Sequence, residues 1–125
     1  MVTEWNATFT INLSPGDALL EGTGRFNFTK QWFGDIVGTS QGVMLSSGDP
    51  GAGTAGYVAL ERFVGTVGTA TGACCFQQFG TMVDGQQVLR YEVVPGSGAD
   101  GLAGLSGRVG LVVDEDGTHR VTLCS

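Results

Sequence analysis

The sequence predicts an all-β protein, a single closed antiparallel barrel of about eight strands. Three observations predict it. The chain carries 22 glycines in 125 residues, spread without a three-residue period, so they read as turns and bends and not as collagen. Short β-branched and aromatic runs alternate apolar with polar, and no helical period persists beyond about two turns. Tight-turn dipeptides, Gly68-Thr69, Asp84-Gly85 and Asp116-Gly117, separate several of those runs.

Trp5, Ala7, Phe9, Ile11 and Leu13 alternate with polar residues and form the clearest half-buried strand. The alternation begins at Met1, which reads as a strand and not as a signal peptide. Ser14-Pro15-Gly16-Asp17 ends it. A second strand is expected over Gly24 to Phe33, turned by Gly34-Asp35, and a third over Ile36 to Leu45. Ser46 to Gly53 reads as a flexible loop. Tyr57 to Val67, Thr71 to Met82 and Gln86 to Val94 then meander through two tight turns. Pro95-Gly96-Ser97-Gly98 breaks the chain, and Asp100 to Leu105 has room for one helical turn. Leu105 to Val113 and Thr118 to Leu123 make the last hairpin. A barrel of such strands has no exposed edges; a two-sheet sandwich is the competing architecture.

The two tight turns set the pairing of the central strands. With Gly68-Thr69 as one turn, Ala59 faces Gln78 and Glu61 faces Phe76. With Asp84-Gly85 as the next, Gln78 faces Tyr91, Phe76 faces Val93 and Gly80 faces Leu89. One sheet face therefore carries Tyr57, Ala59, Glu61, Phe63, Phe76, Gln78, Leu89, Tyr91 and Val93. The other carries Val58, Leu60, Arg62, Gln77, Phe79, Val88, Arg90 and Glu92, including charge pairs typical of a surface. The first face is expected inside, with Trp5 and Phe9 beside it. Phe26, Phe28 and Trp32 share a face that lines either this interior or an oligomer interface.

A carboxyl group in such an interior has its pKa raised by desolvation. Glu61 is then a candidate general acid or base, and Tyr57 and Tyr91 candidate oxyanion donors. The structural alternative is a Glu61 satisfied by a buried tyrosine or backbone amide. Gln78, Trp5, Phe9, Phe63, Phe76 and Leu89 are the expected substrate-binding residues.

Composition narrows the function classes. Six Lys and Arg against 12 Asp and Glu give a net charge of −6, which repels a phosphate backbone. No basic patch suits a membrane surface and no apolar run is long enough to span one. Only 14% of residues are charged, below the usual quarter, which points to an oligomer, a homodimer or homotrimer. Three cysteines and one histidine make no zinc pattern, and adjacent Cys74 and Cys75 point to opposite faces, so a metal site and a structural disulfide are not expected. The cytoplasm is the expected compartment. The segment from Gly96 to Gly101 matches G-x-G-x-x-G, but no helix follows it to hold a phosphate. His119 beside the last turn is expected to be exposed, which leaves no serine triad.

The stretches GTSQGVML (from Gly38), GYVALERFVGTV (from Gly56) and VVPGSGADGLAGLSGRVGL (from Val93) resemble a small bacterial family of unknown function, grouped with allene oxide cyclase-like barrels. The resemblance spans roughly residues 5 to 123. It implies a calycin-like eight-stranded barrel and, from wider relatives, cofactor-free ring closure of hydrophobic substrates. Glu61 matches the glutamate of an Ala-Leu-Glu-Arg motif, while Gln78 stands where that resemblance leads one to expect a histidine. The reading that follows is a cofactor-independent isomerase or cyclase acting on a small hydrophobic, polyketide- or lipid-like molecule. A non-catalytic carrier of a small apolar ligand is the alternative. A filled barrel acting through its outer surface is the third option, and a core packed by Trp5, Phe9, Phe63 and Phe76 would favour it.

Overall fold

Asp84 and Gly85 take φ of 51° and 78°, the type I′ geometry that matches the twist of a two-residue hairpin. That turn and the one at Gly68-Thr69 lock the register on either side. Ala59 pairs with Gln78 and Glu61 with Phe76; Gln78 pairs with Tyr91 and Phe76 with Val93. The pairing read from the turns is the pairing present in a computed structural model, which describes residues 3–125. The Met1 and Val2 end of the alternating run lies outside the described residues.

The strands are β1 (Glu4–Gly16), β2 (Gly24–Gly34), β3 (Ile36–Asp49), β4 (Thr54–Val67), β5 (Ala70–Val83), β6 (Gln86–Val93), β7 (Ala99–Asp100), β8 (Arg108–Val113) and β9 (His119–Cys124). All pairings are antiparallel. Pairing of β4 with β5 closes the ring β1-β2-β3-β4-β5-β6-β8-β9, an eight-stranded barrel and not a sandwich. The short β7 pairs with β5 beside the ring. The seams are unequal. Most run the length of their strands, but β6 and β8 share one register pair, Glu92 with Arg108. No helix among the described residues is long and apolar enough to cross a membrane.

Two boundaries differ from expectation. Ser46 to Gly53 is not a flexible loop: β3 and β4 stay paired to Asp49–Thr54, and a 3-10 turn over Pro50–Ala52 joins them. Small polar residues there erase the apolar alternation, while the backbone ladder, which needs no side chain, continues. The last hairpin starts at Arg108 and not Leu105. Leu102 and Leu105 instead fold over one end of the barrel and pack on the core. Successive turns, Leu102 N–H to the Ala99 carbonyl and Leu105 N–H to the Leu102 carbonyl, hold them there. Glycine makes this floor geometry accessible, since a Cβ on Gly98 would sit 1.9 Å from the Leu102 carbonyl oxygen.

The barrel interior has two halves. Towards the Leu102 floor, Ala7, Ile36, Phe63, Val67, Val93, Val109 and Leu123 are buried together. Towards the opposite end the inward residues stay partly open, and Leu89 retains 38% exposure. Outside, Val58, Leu60, Phe79 and Val88 are exposed, as the two-face assignment requires.

Candidate functional site

Phe26, Phe28, Lys30 and Trp32 occupy alternate positions of β2 and so share one face. That face points inward: Phe28, Lys30 and Trp32 are all buried. The interior and not an interface therefore takes these rings, and a lysine comes with them. Lys30 pairs with Ser40 on β3, and Glu61 on β4 pairs with Gly42. The diagonal between those pairs brings the Lys30 ammonium to the Glu61 carboxylate.

The resulting cluster is closely bonded. Lys30 Nζ donates to Glu61 Oε1 at 2.7 Å, the Tyr91 hydroxyl donates to the same oxygen at 3.0 Å, and Ser40 Oγ donates to Oε2 at 2.6 Å. Lys30 Nζ lies 3.2 Å from the Tyr91 oxygen, and Trp32 Nε1 donates to Ser40 Oγ at 3.1 Å. Aromatic faces surround the ammonium: the Phe9 centroid lies at 4.2 Å, Tyr91 at 5.2 Å, Phe28 at 5.3 Å and Trp32 at 5.5 Å. Ring faces attract a cation and offset part of its desolvation.

Lys30 and Glu61 are each 2% exposed, and burial dominates their surroundings. Burial pushes the Lys30 ammonium below its ordinary pKa, against the pull of the Glu61 charge. Burial, then the Glu61 charge, pushes the Tyr91 phenol well above its ordinary value. Tyr91 therefore remains a phenol and a donor to Glu61. Glu61 thus has a buried tyrosine among its partners, together with a lysine and a serine.

Above this cluster the barrel opens. A mouth cavity of about 1110 Å³ is lined by Phe26, Met44, Tyr57, Met82, Leu89 and Leu111, among others. Its lining includes none of Lys30, Ser40, Glu61 or Tyr91. Tyr57 supplies a polar group at the wall, with its hydroxyl donating to Gln78 Oε1 at 3.0 Å. Burial raises the Tyr57 pKa, so it too stays a phenol. No hydrogen bond among the described residues engages Gln78 Nε2, which leaves its two N–H groups free to donate.

The expected site residues thus divide into three groups. Glu61 and Tyr91 are in contact, deep in the barrel. Tyr57 and Gln78 form a separate pair, of which Tyr57 lines the mouth together with Leu89. Phe9, Phe63 and Phe76 belong to the packed interior around Trp32, at centroid separations of 5.1, 5.8 and 5.6 Å, and Trp5 packs against it. Two residues were missed. Lys30 was readable from its parity with Phe28 and Trp32. His119 is a correction: it is half-buried and stacks on Phe9 at 4.9 Å, because its odd position on β9 shares the inward face of Val121 and Leu123. Adjacency to a turn was a poor guide against that parity.

The family model of DUF3224, "Protein of unknown function", matches residues 2–124. A crystal structure at 1.84 Å resolution of a DUF3224 protein of unknown function from Shewanella oneidensis MR-1 is 35% identical in sequence. It superposes with a TM-score of 0.90 over 99% of this chain and 96% of that one. None of the curated proteins matches the chain.

Proposed function

This chain belongs to the DUF3224 family of proteins of unknown function, and from that premise we propose that it binds a small, largely apolar molecule in the open mouth of its barrel. The observation that carries the reading is the asymmetry of the interior. One half is packed to the floor, while the other holds a cavity of about 1110 Å³ with an apolar lining and a phenol at its wall. Pockets of this character and approximate size suit small ligands, with a few polar groups to orient them. Tyr57 already donates its one proton to Gln78 Oε1, so its oxygen at the wall suits a ligand that carries a hydroxyl or N–H donor.

Titration with the neutral dye N-phenyl-1-naphthylamine tests the reading. Saturable one-to-one fluorescence enhancement is expected, and Leu111→Trp, which narrows the mouth, weakens it by about tenfold or more. Equal binding by the narrowed variant and the wild type defeats the proposal.

Catalysis is the second reading, in which Glu61, Tyr91 and Tyr57 act on the bound molecule as a cofactor-free isomerase or cyclase. What favours it is a carboxylate, an ammonium and a phenol within hydrogen-bond reach of one another beneath the mouth. Such coupled groups recur at functional sites. Their absence from the cavity lining favours simple binding. Recovery of an extracted ligand unchanged after incubation supports the carrier. Turnover of that ligand by wild type, but not by Glu61→Gln or Tyr91→Phe, supports the enzyme.

A further inference from the structure

We propose that the gap between β6 and β8 is a peptide-docking slot, which takes an extended apolar segment by pairing with the two free strand edges. The docked segment shares the mouth cavity with the ligand proposed above, since its side chains project there, but takes its pairing from backbone groups at the rim.

The seam between β6 and β8 holds one register pair, Glu92 with Arg108. Beside it, the Val93 N–H donates to the Gly107 carbonyl at 3.0 Å, and the Val94 N–H donates across the other edge to Cys75 at 2.8 Å. Backbone groups alternate sides along a strand. The odd residues of β6 therefore face β8, and the odd residues of β8 face β6. Beyond Tyr91 and Val109 the seam has no further register pair. Gln87 and Leu89 on one edge, and Leu111 and Val113 on the other, turn N–H and C=O groups into the gap.

Those four residues also line the mouth cavity, so the gap borders that cavity. The edges lack the usual protection. Natural edge strands carry charge, proline or bulges that block pairing. Residues 109–113 read Val-Gly-Leu-Val-Val, with neither charge nor proline, and Val112 and Val113 are 60% and 56% exposed. Only Arg90 interrupts residues 86–91 with charge. Alternating donors and acceptors beside an apolar cavity are what an extended peptide recognises: its backbone completes the ladder, and every second side chain enters the barrel. A rigid small molecule cannot satisfy a row of that length.

The probes are acetyl-Thr-Val-Thr-Val-Thr-amide, its leucine and phenylalanine counterparts, and the same peptides N-methylated at the apolar positions. Amide exchange and resonance shifts are followed in the full chain. The free protein should show fast exchange at Leu89 and Leu111 beside slow exchange at Val88 and Gly110. At least one peptide should protect Leu89, Leu111 and Val113. N-methylation should weaken that peptide about tenfold, as loss of one or two net hydrogen bonds requires. Leu111→Pro and Gln87→Pro each delete one gap-facing N–H without touching the ladders to β9 or β5, and should weaken binding on either edge. Protection of Leu89 and Leu111 in the free monomer overturns the proposal, as does equal binding of methylated and plain peptides, or no protection by any peptide. Concentration-dependent dimerisation that protects the same amides overturns the peptide as occupant in favour of a second copy. Retained dye binding in the mouth with no peptide binding sinks this proposal alone, and the reverse result sinks the mouth reading alone.

Discussion

Lys30 and Glu61 are where the interior departs from an ordinary apolar core, and single substitutions there have unequal consequences. Lys30→Met removes one partner and leaves a buried carboxylate with only Ser40 and Tyr91, at an expected cost of about 3–5 kcal/mol in urea unfolding. Adding Glu61→Gln removes the second charge and should restore most of that loss. If the double variant is as unstable as Lys30→Met, the pair is not the unit described. Cys74 gives a second residue-scale expectation. Burial, with the nearby Cys75 and Glu61 charges, pushes its thiol from 9.0 up to about 12. The folded state thus keeps a proton that the unfolded chain releases first. This contribution is complete below pH 9 and falls as pH rises from 9 towards 12, with a slope of at most about 1.4 kcal/mol per pH unit. Cys74→Ala should flatten the decline of stability in that window; an unchanged slope contradicts the burial of an ionisable thiol.

At the scale of elements, the sequence specified register wherever a tight turn joined two alternating strands. The β4–β5 and β5–β6 pairings, and with them the inward face of Glu61, Gln78, Tyr57 and Tyr91, follow from two dipeptides. Register could not be read across β2, because no two-residue turn tied it to β4, and so the meeting of Lys30 with Glu61 stayed hidden. The parity that places Lys30 inside is visible in the sequence, but a lysine's charge ordinarily favours the surface and masks it. The floor was hidden for another reason. Its glycines signal a break in alternation, but closeness of backbone to backbone has no side-chain pattern. Gly98→Ala places a methyl group against the Leu102 carbonyl and should unseat Leu102, costing about 1–3 kcal/mol as overpacking does. Gly104→Ala, which meets no atom within 4 Å, is the control and should change midpoint stability little. Equal effects of the two substitutions contradict the floor as described.

For the whole molecule, eight barrel strands enclose a packed end under Leu102, an ion pair in the middle and an open mouth. Strand count and turns favoured a closed ring but left a two-sheet sandwich open, which the closed pairing of the eight strands decides. The division of its interior was not, because alternation tells which side chains point inward and not how completely they fill the space. The two methionines of the mouth, Met44 and Met82, offer a direct test. Methyl resonances of methionine-labelled protein are followed during titration with N-phenyl-1-naphthylamine. The account predicts saturable shifts of both methyl groups with one common dissociation constant, raised about tenfold or more in Leu111→Trp. Shifts that are absent at dye saturation, or that persist unchanged in Leu111→Trp, would contradict a ligand site in the barrel mouth.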